Sequence, residues 1–171
     1  VVDMGEPIFR TKEIPMISDH YVFMDQGLVI DDDTVYNGTA VSMGNPHFVI
    51  FVDDVDAVKL EEIGPRIENH PLFPERTNVE FVQVIDDNTV KFRVWERGSG
   101  ETWACGTGAC AVTVTSIFLS KAGKKDQELN VLVKGGKLKV TYRSDNHVFL
   151  KGPATHVFDG VIEIPEEILN K

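Results

Sequence analysis

The chain has 171 residues, of which 42% are hydrophobic and 26% charged, proportions that exclude a disordered or collagen-like chain. Its 17 Lys and Arg against 27 Asp and Glu leave a formal net charge of -10, and so acidic a surface argues against nucleic acid or anionic membrane as a partner. A domain of this length buries roughly two-thirds of its unfolded surface, so no disulfide or metal staple is needed.

In chain order, short alternating runs between turn residues predict strands at Tyr21–Met24, Thr34–Met43 and Phe48–Val52. Asp56 is placed to cap a short helix over Ala57–Ile63, and Pro65 to start a further turn reaching about Asn69. Val79–Ile85 and Thr89–Trp95 flank Asp86-Asp87-Asn88, which reads as a hairpin loop. The stretch Thr102–Ser120 carries no charge and has the length of a membrane span, yet it is rich in Gly, Ala, Ser and Thr. It predicts a helix from about Gly106 to Lys121, ended by Gly123 and apolar over more than half its circumference, hence surrounded by protein. Leu129–Val133 and Leu138–Tyr142 flank Lys134-Gly135-Gly136-Lys137, a second hairpin, and His147–Leu150 and His156–Ile164 are further strands. Many strands with hairpin-length links and one enveloped helix predict an α+β fold: a mostly antiparallel β-barrel wrapped around a single central α-helix.

Cys105 and Cys110 lie five residues apart, a spacing that turns two thiols away from each other on a helix, so no mutual disulfide is expected. That usage suits a reducing compartment, and no signal peptide is recognised, so the expected location is cytoplasmic. His20, His70, His147 and His156 lack metal-ligand spacing. No cofactor fingerprint is present, so neither a metal nor a cofactor is expected.

The chemistry concentrates in Glu96-Arg97-Gly98-Ser99-Gly100-Glu101-Thr102-Trp103-Ala104-Cys105-Gly106-Thr107-Gly108. A strand ends in a charged pair, a Gly-rich turn follows, and Cys105 then precedes the buried helix. At a helix N-terminus the thiolate is stabilised, so its pKa is expected to fall, and the backbone amides of Gly106, Thr107 and Gly108 are expected to be unpaired and able to hold a carboxylate. Such a site suits chemistry on a small carboxylic acid. Packing as a small apolar residue is the plain alternative for Cys105, and the expected role of Cys110.

This segment resembles the second active-site motif of the diaminopimelate epimerases, and Gly44-Asn45-Pro46-His47-Phe48 and Arg76-Thr77-Asn78-Val79-Glu80-Phe81 resemble two others in the same order. Val2-Asp3-Met4-Gly5-Glu6-Pro7 and Gly152-Pro153-Ala154 resemble that family too. Proline racemases and phenazine-biosynthesis-type isomerases share the fold, but the run Ala104–Ala111 favours the epimerase. The resemblance implies a cofactor-independent exchange between L,L- and meso-diaminopimelate, for lysine and peptidoglycan synthesis, with two thiols on opposite faces of the α-carbon. The family carries its other cysteine in a Cys-Gly-Asn-Gly motif of an N-terminal domain, and that motif does not occur here. Residues 1–171 therefore resemble the C-terminal domain, with 1–8 and 152–171 at the inter-domain crossing; either the sequence is a fragment, or another polypeptide supplies the missing N-terminal domain as a partner. Such a chain is expected to be inactive alone, and an apolar face left uncovered would favour self-association as a homodimer.

By the same resemblance Cys105 is one acid/base thiol, Glu96 its polar partner, and His47 the group that serves the other thiol across the cleft. Gly106 and Thr107 would hold the reacting carboxylate; Asn45, Asn78 and Arg97 would bind the distal carboxylate and ammonium, with Glu96 also able to meet an ammonium. Plainer roles exist for each: a turn for Asn45, a core histidine at His47, a loop cap for Asn78, an exposed ion pair for Glu96 and Arg97. Two other functions compete. A cysteine hydrolase or transferase would use Cys105 with His47 as base, and a non-catalytic domain would only bind the substrate.

Overall fold

The computed structural model describes residues 1–165 and 168. Its strands are β1 (Val2–Asp3), β2 (Gln26–Asp31), β3 (Thr34–Ser42), β4 (Pro46–Phe51), β5 (Asn78–Asp86), β6 (Thr89–Glu96), β7 (Gly100–Glu101), β8 (Glu128–Val133), β9 (Gly136–Tyr142) and β10 (Val148–Lys151). Two helices, α1 (Leu60–Glu68) and α2 (Gly106–Phe118), interrupt them. All strands join one 10-stranded sheet in the order β1-β10-β9-β8-β6-β5-β4-β3-β2, with β7 appended to β6. The ladders are antiparallel except β4–β5 and β6–β8, so the sheet is mixed.

The expected closed barrel is corrected to an open sheet, because among the described residues no ladder joins the end strands β1 and β2. The sheet nevertheless envelops α2, which packs on β3, β4 and β5 from one half and on β8, β9 and β10 from the other. Every residue from Gly108 to Ser116 is buried, the environment that an all-round apolar helix requires.

Three local expectations also change. Val22 makes only an isolated bridge to Arg10, and the strand instead forms at Gln26–Asp31, where the Asp33 N–H donates to Asp31 and closes a hairpin onto β3. Helix α1 starts at Leu60 rather than Ala57; Lys59 holds the N-cap position without a side-chain cap, and Asp56 pairs with Lys91 instead. Pro65 lies inside that one helix, which runs on to Glu68. The span His156–Ile164 is exposed and unpaired, with Val157, Phe158, Val161 and Ile162 facing solvent. Of the expected crossing segment 152–171, residues 166, 167 and 169–171 lie outside the described residues.

The central strands separate two cores. On one side Val49, Val82, Val90, Phe92 and Val94 meet Ala109, Val112 and Val114 of α2. On the other Phe48, Ile50, Val79 and Phe81 meet Leu60, Ile63 and Ile67 of α1. Alternation along a strand thus decides which side chains face α2.

Helix α1 also fixes the turn that precedes the cysteine. Buried Glu68 accepts from the Gly98 N–H at 2.8 Å, the Trp95 indole N–H at 2.7 Å and Arg76 at 3.0 Å. One carboxylate thereby ties the end of β6, the Gly98 turn and the β5 approach together.

Candidate functional site

His47 shares its strand parity with Val49, Glu80 and Asn78 with Val82, and Glu96 with Val94, so alternation directs all four towards the α2 side. Parallel register sets His47 beside Asn78, and antiparallel register sets Val79 opposite Trp95, so these residues collect at one end of the sheet. The first turn of α2 lies there too: a Cβ added to Gly108 would sit 2.9 Å from Glu80 Oε1 and 3.2 Å from Cys105 Sγ.

Cys105 is the N-cap of α2, in extended backbone with its sulfur accepting from the Gly108 N–H at 3.3 Å. The Thr107 hydroxyl lies 3.5 Å from the same sulfur, and the residue is 6% exposed. Among the described residues the Gly106 and Thr107 amides have no hydrogen-bond partner, as an anion cradle requires, whereas the Gly108 amide, expected to be free as well, is spent on the sulfur. The expected low thiol pKa is corrected. Burial first, then the charge of Glu80, push the thiol up to about 11; Thr107 and Gly108 pull the other way, and Glu96 adds to the rise. Desolvation outweighs the helix end here.

A thiol held about two units above its ordinary value is deprotonated about a hundredfold less at neutral pH. Alkylation of Cys105 by iodoacetamide at pH 8 is therefore expected to run about a hundredfold slower in the folded chain than in urea, before any steric protection. An equal rate in both states would show an exposed, ordinary thiol. Cys110 is fully buried one turn further on, its thiol pushed up to about 12 chiefly by burial. Both cysteines are free.

The other candidate residues divide by what they have left to offer. Glu96 accepts from the Thr102 hydroxyl, and its charge makes the smallest of the contributions that raise the Cys105 thiol. Arg97 donates to the Glu75 carbonyl at 3.1 Å, and its backbone N–H reaches Asn78 Oδ1 at 2.9 Å. Asn78 spends its amide on the Pro46 carbonyl at 2.9 Å, so it clamps β4, β5 and the Arg97 turn together. His47 does not reach outward as expected: it is 0% exposed, with Nδ1 2.6 Å from Glu80 Oε1 and Nε2 3.1 Å from Asn45 Oδ1. Only Asn45 of that trio is part-exposed. Cys105 and His47 share no hydrogen bond among these contacts. The site thus gathers Cys105, Glu96, Gly106 and Thr107 at the helix end, over a polar floor of His47, Asn78 and Glu80. Glu80 was not foreseen as a site residue.

The family described as diaminopimelate epimerase matches residues 39–157. The chain belongs to that family. It is 50% identical over 164 residues to a diaminopimelate epimerase of Methanococcus maripaludis, covering 95% of this chain and 58% of that protein. Against the diaminopimelate epimerase of Agathobacter rectalis it is 51% identical over 170 residues, covering 95% of this chain and 59% of the relative. The chain thus spans less than two thirds of the length of the curated family members it matches. Among solved structures, a predicted epimerase from Pseudomonas aeruginosa superposes with a TM-score of 0.53 at 18% identity, over 88% of this chain and 53% of that one. A hydroxyproline epimerase from Agrobacterium vitis superposes with a TM-score of 0.55 at 14% identity, over 74% and 44%. These likenesses establish the fold that the epimerase family shares with the proline racemases.

Proposed function

We propose that this chain supplies one thiol-bearing half of a diaminopimelate epimerase site and works without a cofactor. The observation that carries it is the Cys105 sulfur capping the enclosed helix beside unpartnered amides and Glu96. The reaction moves the α-proton of an amino acid from one face of the carbon to the other. A thiolate on one face removes it, the α-carbanion's carboxylate is held by the Gly106 and Thr107 amides, and a thiol on the far face returns a proton. Held largely as a thiol, Cys105 is the proton donor in one direction and, by microscopic reversibility, the base in the other. A substrate ammonium beside Glu96 would neutralise one of the charges that hold the sulfur's proton. Asn45 and Arg97, which keep some exposure, would face the distal end of the substrate.

The second thiol must come from elsewhere, because Cys110 is enclosed in the helix packing. We assign it to an N-terminal partner domain that would cover the segments 1–8 and 152–165, including exposed Val157 and Phe158. With that face uncovered, a homodimer is the competing occupant. A cytoplasmic location follows from the reading as a biosynthetic enzyme; among the described residues no helix is long and apolar enough to cross a membrane. A cysteine hydrolase needs His47 at the Cys105 sulfur, and both ring nitrogens are engaged with Glu80 and Asn45 instead.

Residues 1–171 alone are expected to give no conversion of L,L-diaminopimelate. A chimera carrying the N-terminal portion of the Methanococcus maripaludis relative is expected to exchange the substrate's α-proton with deuterated solvent. Turnover by the homogeneous chain would sink the half-site reading. Substrate binding without exchange in a folded chimera would favour a non-catalytic domain.

A further inference from the structure

The buried carboxylate that no motif assignment used lies under the site. Glu80 is 0% exposed in the middle of β5, where a glutamate has no reason to be unless something needs it. Its Oε1 meets His47 Nδ1 at 2.6 Å, and its Oε2 has no hydrogen-bond partner among the described residues. The same Oε1 lies so near the first turn of α2 that a Cβ at Gly108 would approach it to 2.9 Å. The glycine of that turn is therefore matched to this carboxylate.

We propose that Glu80 is a positioning residue shared by the two acid-base groups of the site. It holds the His47 Nδ1 proton, and it sets a carboxylate beneath the Cys105–Gly108 turn, where it opposes negative charge on the sulfur. This inference rests on the epimerase reading for its purpose but not for its physics. With the carboxylate as acceptor at 2.6 Å, Nδ1 is the donor, and Nε2 faces the Asn45 side-chain amide, which can turn either its oxygen or its nitrogen to the ring. A buried carboxylate left with one bare oxygen also acts through a weakly screening interior. Of the groups around the sulfur, Glu80 of β5 and Glu96 of β6 oppose the thiolate, whereas Thr107 and the Gly108 amide of α2 favour it. Cys110, the other titratable group on α2, lies fully buried along the same helix. Glu80 stands first among the charges in that balance, ahead of Glu96. One carboxylate thus ties together a histidine on β4 and a thiol on α2.

The test reads the sulfur and the ring directly, without substrate, so a failed epimerase reading leaves it intact. In residues 1–171 carrying Glu80→Gln, Cys105 alkylation at pH 8, located by peptide mass, is expected to rise about tenfold, the equivalent of one pKa unit. Glu80→Asp, which keeps the charge, is expected to change it far less. In the unmodified chain, ¹⁵N NMR of the His47 ring is expected to find the proton on Nδ1. This measurement decides the matter if the glutamine variant does not fold. A folded Glu80→Gln chain with an unchanged alkylation rate, or an unprotonated Nδ1, overturns the proposal.

Discussion

Cys105→Ser is expected to abolish α-proton exchange in the chimera, by about 10³-fold or more, while leaving the fold at least as stable; Cys105→Ala is expected to lose both. The two substitutions separate the sulfur's two tasks. As N-cap, the side chain accepts the Gly108 N–H, one of the orphan donors at the start of α2. Serine is among the best N-caps and restores that bond with a shorter, stronger acceptor, whereas alanine leaves the donor bare at a cost of about 1 kcal/mol. As acid and base, the sulfur has a proton within reach of neutral chemistry, and a serine hydroxyl does not. Stability by urea denaturation and exchange by mass spectrometry should therefore part company in the serine variant. Exchange that survives in Cys105→Ser would remove the thiol from the mechanism. A loss of stability and activity together in both variants would make Cys105 a structural residue.

Much of this was readable from local chemistry. The Asp86-Asp87-Asn88 and Lys134–Lys137 turns sit where Gly, Asp and Asn break two alternating runs, and both pairs of strands form antiparallel hairpins. The uncharged α2 segment announced its own burial, and its cysteine fell on the cap. What local chemistry could not carry was long-range pairing. The parallel ladders β4–β5 and β6–β8 span intervening helices, and nothing in the period of an isolated strand names its neighbour. The same blindness hid Glu80. In the run Val79-Glu80-Phe81-Val82 it looks like the polar step of a half-exposed strand, yet cores on both faces bury all four residues. It also misjudged the thiol, since a helix end is visible in the sequence but the desolvation around it is not. β2 was missed for a different reason: Gln26-Gly27-Leu28-Val29-Ile30-Asp31 has mostly exposed side chains, and the Asp-rich turn after it makes the hairpin.

Gly38→Ala is expected to cost about 3 kcal/mol of stability, more than an ordinary strand substitution, because it strikes an aromatic ring that supports the site from below. A Cβ on Gly38 would lie 2.4 Å from Phe48 Cζ and 2.6 Å from Cε1. The ring cannot withdraw. Phe48 is fully buried, with Phe23 at 6.0 Å and Phe73 at 5.5 Å between centroids. The gain from replacing glycine in a strand is about 1 kcal/mol at most, so overpacking decides the sign. The displaced ring belongs to the residue next to His47, so the shift passes along β4 to the His47–Glu80 contact. A double-mutant cycle with Phe48→Leu tests the cause, since leucine is shorter than the ring and opens the space that the new methyl needs. If the clash is the mechanism, Gly38→Ala costs less than about 1 kcal/mol in a chain already carrying Phe48→Leu, a coupling of roughly 2 kcal/mol. Costs that merely add would mean that Gly38 is needed for its backbone freedom, and Phe48 would not be the wall it meets.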